Sequence, residues 1–88
     1  MKTKRLKPTH PGPMLLESEI ERRGMSIAEF ARRIGVSRSA LASVCRGESG
    51  ISPDMAIRIA KLTRGHADSW LSMQGDYDLW EAQGAAGW

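Results

Sequence analysis

The chain has 88 residues and a formal net charge of +3, enough for one domain with a single modest core and a mild preference for anionic partners. Its lone cysteine, Cys45, excludes an internal disulfide, and two separated histidines, His10 and His66, lack the neighbouring ligands of a metal site. There is no apolar run of membrane-spanning length, and the charged N-terminus lacks a signal-peptide core, so a cytoplasmic protein without membrane, metal, cofactor or small-molecule ligand is expected.

The charge is unevenly spread. All 13 Lys and Arg lie in residues 1–64, whereas residues 65–88 hold four acids and no basic residue except His66. A basic body suits a polyanion, and the acidic C-terminal part implies another job. Residues 1–9 form a flexible basic arm with Lys2, Lys4, Arg5 and Lys7. Such an arm reads either as a phosphate-seeking extension or as a solubilising terminus. Pro11-Gly12-Pro13 then sets up a helix start, with Pro13 tolerated in the first turn. The predicted helix runs to about Arg23, buries Leu15, Leu16 and Ile20, and stops at Gly24.

The segment SIAEFARRIGVSRSALASVCRG, residues 26–47, reads as a helix–turn–helix. Ser26 and Glu29 have capping-box spacing. Ile27, Phe30, Ala31 and Ile34 form one apolar face, and Ala31 is small enough for a close helix crossing. Gly35 supplies the turn, Val36 plugs it into the core, and Ser37 caps the second helix. Leu41 and Val44 give that helix its buried side, Cys45 joins them as a small hydrophobe, and Gly47 ends it.

The opposite face holds Arg38, Ser39, Ala42 and Ser43. Small residues interspersed with hydrogen-bonding ones allow a helix to approach base edges, and a first-turn arginine can grip a guanine with two bonds. These four residues are the predicted base readers. Arg46, at the far end, is placed to hold a phosphate. An ordinary helical hairpin with a solvated polar face would share the amphipathicity, but not the joint pattern of caps, turn glycine and turn valine.

After a loop at residues 48–51, Ser52 caps a fourth helix with Pro53 in its first turn. Free N–H groups there can bind a phosphate as well as be capped. Met55, Ile57, Ile59, Ala60 and Leu62 supply its apolar surface. A fifth helix begins near His66–Asp68. Trp70 and Leu71 are assigned to the core, and Tyr77, Leu79 and Trp80 to a protein interface, because the helix carries more apolar surface than one small core absorbs. The expected layout is one all-α domain over residues 10–82, with a flexible tail at 83–88.

Taken together, His10-Pro11-Gly12, then Gly35-Val36-Ser37-Arg38-Ser39, then Gly47, then Gly50-Ile51-Ser52-Pro53-Asp54-Met55-Ala56, and finally Trp70-Leu71 with Tyr77-Asp78-Leu79, resemble the HigA-type antitoxins of bacterial toxin–antitoxin modules. These belong to the Cro/CI-type (XRE) helix–turn–helix family. The resemblance runs from about His10 to Trp80. It implies a five-helix lambda-repressor-like fold and a homodimer. It also implies a repressor of its own operon that binds palindromic operator DNA and neutralises a small mRNA-endonuclease toxin. By matching position, Ser37, Arg46 and the backbone around Ile51 and Ser52 would contact phosphates, and the last helix, with Tyr77, Leu79 and Trp80, would form the dimer. The chain departs from the family at Pro13, at Arg46 (usually asparagine), at Glu48 (usually Lys or Arg), across Arg64–Asp68, and at Ser69. Two other readings stand beside this one: a stand-alone XRE regulator without a toxin, and a toxin-binding module that has lost its operator. No paired carboxylates, activated nucleophile or phosphate-cradling loop points to an enzyme.

Overall fold

A computed structural model describes residues 7–85. Helix α1 (Pro11–Leu15) widens into a π-helical segment (Leu16–Glu21) and is followed by α2 (Ile27–Ile34), α3 (Arg38–Cys45), α4 (Pro53–Thr63) and α5 (Ala67–Ala85). The protein is all-α, with no strand among the described residues.

Local chemistry explains most of the boundaries. The His10 Nδ1 accepts from the Gly12 N–H at 2.9 Å, so this histidine caps α1 and leaves Pro11 at the first helical position. The helix loosens where Ser18 Oγ donates to the Met14 carbonyl at 2.6 Å, an acceptor that a regular α-turn gives to the Ser18 N–H. Ser26, Ser37 and Ser52 cap α2, α3 and α4 by accepting from Glu29, Ala40 and Met55 N–H at 3.0–3.1 Å. The expected capping box at Ser26 is only half made, because the Glu29 carboxylate is taken by Arg33 at 2.9 Å, one turn along the helix.

The core is built where the sequence periodicity puts it. Leu15 and Ile20 from the first helix meet Phe30 of α2, Leu41 of α3 and Ile59 of α4, all fully buried. Trp70 of α5 closes the base at 7% exposure, whereas Leu71 is only half-buried against it. Ile57 is a correction to the expected apolar face of α4: it points outward at 49% exposure, and Ala56 takes the buried position. Gly12 is needed for packing, since a Cβ there would overlap the Val44 carbonyl oxygen. The start of α1 therefore lies against the end of α3 at backbone distance. One expectation about the termini changes. Gln83, Gly84 and Ala85 continue α5 rather than starting a tail, and residues 1–6 of the arm and 86–88 of the tail lie outside the described residues.

Candidate nucleic-acid interface

Helix α3 owes its orientation to one buried and one open side. Leu41, Val44 and Cys45 are sunk into the core at 0–4% exposure. Burial is also what raises the Cys45 thiol pKa above its ordinary value; Arg46 works in the opposite direction and Glu21 adds to the rise. With that side fixed, Arg38 and Ser39 stand exposed, and Ala42 and Ser43 half-buried, on the remaining face. The four predicted base readers therefore share one surface. Arg38 forms no ion pair among the described residues, unlike its neighbours Arg33, Arg46 and Arg58.

The phosphate candidates behave differently from one another. Ser37 and Ser52 spend an oxygen lone pair on capping, which leaves each hydroxyl hydrogen able to donate to an anion. Ile51 is already engaged within the protein: its N–H donates to Gln74 Oε1 at 2.9 Å, and the residue is 3% exposed. A buried, already satisfied amide has no reason to seek a phosphate. Arg46 is engaged as well, by Glu48 at 3.1 Å, with both side chains more than half exposed. Ser43 Oγ lies 2.6 Å from Ser49 Oγ, so one of the predicted base-reading hydroxyls is tied to the following loop.

Two residues that sequence reading missed hold this surface in place. Arg58 on α4 sends Nη1 to the carbonyl of Ile34 at 2.9 Å while its Nε pairs with Asp54 at 2.8 Å. It thereby neutralises the carbonyl end of α2 at the turn into α3. Gln74 on α5, 7% exposed, accepts from Ile51 and donates from Nε2 to Asp78 Oδ1 at 2.9 Å. The spacing of Asp54 and Arg58 was a legible pairing signal. For Gln74 the signal was weaker: a lone amide one turn after Trp70, on the buried stripe of α5.

The predicted interface residues of α5 divide. Leu79 is open to solvent at 49%. Tyr77 stacks edge-on to His10 with ring centroids 4.8 Å apart, and Trp80 lies beside Tyr77 and under Lys7 Nζ at 5.5 Å. Lys7, His10, Arg46 and Tyr77 line one cleft of about 430 Å³, which joins the α5 aromatics to the end of α3. No described helix is long and apolar enough to cross a membrane.

Comparison with known proteins agrees with this geometry. The helix-turn-helix family matches residues 16–70. Virulence-associated protein A' of Dichelobacter nodosus is 38% identical over 73 residues, covering 82% of this chain; the chain spans 63% of that relative's length. Among solved structures, Pseudomonas aeruginosa antitoxin HigA with the higBA promoter is 35% identical at a TM-score of 0.87, over 91% of this chain and 87% of that one. Antitoxin GraA in complex with its operator is 31% identical at a TM-score of 0.86, over 99% of this chain and 88% of that one. On this evidence the chain belongs to the XRE-type helix-turn-helix family, among its HigA-type antitoxins, a family of non-enzymatic regulators.

Proposed function

We propose that this protein is a dimeric operator-binding antitoxin that represses its own operon and neutralises a small mRNA-endonuclease toxin by direct binding. The observation that carries the DNA half of this reading is the open face of α3. It presents Arg38, without an ion pair among the described residues, beside Ser39, with Ala42 and Ser43 behind them, on a helix whose other side is locked in the core. Arg38 and Ser39 sit in the first turn, from which such helices reach base edges. Ser37 and Ser52 add hydroxyl donors for flanking phosphates. The relatives whose structures hold a promoter and an operator, and whose fold this chain shares, support the same use. Tyr77, Leu79 and Trp80 supply the dimer surface in this reading, with Leu79 the most exposed of the three. The toxin and the autorepression rest on family membership.

The Arg46–Glu48 pair favours a second reading, a toxin-binding module whose grip on DNA has been lost, since it cancels a cation at the rim of the DNA face. Footprinting on the DNA upstream of its own gene separates the two. The first reading expects two protected half-sites about one helical turn apart, or a multiple of it. Arg38→Ala should then weaken binding by about 1–3 kcal/mol and blur one position of the site. A uniform loss over all sequences would make Arg38 a phosphate contact, and an unprotected upstream region would favour the second reading.

A further inference from the structure

Glu48 is poorly explained by the fold. It follows the C-terminus of α3, where a helix dipole disfavours an acid. Its carboxylate pairs with the exposed guanidinium of Arg46, its one ion pair among the described residues, and exposed pairs stabilise little. Yet its position is tightly set. Gly47 turns the chain with φ +77°, and its N–H donates to the Val44 carbonyl at 2.9 Å. The Glu48 and Ser49 N–H groups both return to the Ser43 carbonyl, at 3.0 and 3.3 Å, and the Ser43 and Ser49 hydroxyls are bonded. The backbone thus delivers a carboxylate to Arg46 at the edge of the face that carries Arg38.

We propose that Glu48 is an internal competitor for Arg46: it occupies the guanidinium that a DNA phosphate would otherwise take, and so sets a low, sequence-independent component of affinity. This inference rests on the reading of α3 as the DNA-facing helix. A paired arginine releases no counterion on binding, so each protomer makes one fewer phosphate contact than its arginine count suggests. Discrimination between sequences is left to Arg38 and Ser39, because a phosphate contact carries no base information. Glu48 is therefore an affinity-setting residue that touches no base.

The test titrates the full chain and its variants Glu48→Gln, Arg46→Gln and the double variant against the upstream duplex and an unrelated duplex of equal length, across a range of salt. Glu48→Gln should tighten binding to both duplexes by the same factor, roughly tenfold near 0.1 M salt, and steepen the log–log salt dependence by about 0.9 per protomer bound, so about 1.8 for a dimer. In the Arg46→Gln background the same change should gain less than about threefold, which is the coupling a direct contact requires. Equal gains in both backgrounds would overturn the inference, because Glu48 would then act only as a distant charge. So would a gain confined to the upstream duplex, or none at all. If the unmodified chain binds neither duplex and Glu48→Gln binds both, the competitor stands and the operator-binding function fails. If no variant binds any DNA, both fail. Unchanged thermal midpoints across the set, expected for two exposed side chains, confirm that binding and not folding is being read.

Discussion

The two ends of α3 are held by braces of opposite character. At its start, Arg58 reaches from α4 to the Ile34 carbonyl and remains 41% open to solvent. At its end, Gln74 reaches from α5 to the Ile51 N–H at 7% exposure. Both solve the same problem, an orphaned backbone group in a turn beside α3, but burial makes them unequal. Water can replace much of what Arg58 provides. It cannot reach Ile51 without opening the protein, so the loss of Gln74 leaves an amide paying its full desolvation cost. The lesson is that the loop after α3 is bound to the C-terminal helix more firmly than the turn before it is bound to α4.

The largest expected effect is therefore at Gln74. Gln74→Leu should lower unfolding stability by about 1–3 kcal/mol and accelerate hydrogen exchange at the Ile51 amide. A urea midpoint indistinguishable from that of the parent would break the contrast. Arg58→Met should cost less, roughly 0.5–1.5 kcal/mol, since it keeps the apolar stem and gives the Ile34 carbonyl back to water. A loss larger than that at Gln74 would reverse the comparison. The smallest effect lies on the buried side of α3 itself. Because burial raises the Cys45 pKa in the folded chain, the unfolded chain releases its thiol proton first, near its ordinary value of about 8.5. The stability due to the neutral thiol is whole below that pH and declines as pH rises toward the folded value. Cys45→Ala should accordingly lose less stability than the parent between about pH 7.5 and 9.5. Parallel losses in the two proteins would show that the thiol does not contribute.

The helix–turn–helix was legible because its signals are local. Ser26, Ser37 and Ser52 cap the next residues in the chain, and Gly35 and Gly47 adopt φ of +78° and +77° where the reading placed turns. Periodicity found the buried sides of α2 and α3 for the same reason: neighbours three and four apart share a face. The reading failed where partners are far apart in sequence. Nothing near Ile51 says that its amide is spent on a residue 23 positions later, and nothing near Ile34 announces Arg58. The half-formed capping box is a milder case, in which Arg33 outcompetes a backbone N–H for Glu29. Ile57 failed because it stands one position from Ala56, which is the residue of α4 that faces the core.

By itself the sequence determined an all-α chain, the placement of its helices, the polar make-up of the α3 face and the uneven division of charge, all of which follow from short-range propensity and periodicity. Tertiary structure decided which groups on that face are free. It showed Arg38 unpaired among the described residues, Arg46 held by Glu48, Ile51 spent on Gln74, and Tyr77 and Trp80 packed beside His10 and Lys7. The reason is physical. A residue's type sets what it can bond to, but its availability depends on what the fold brings within about 3 Å of it.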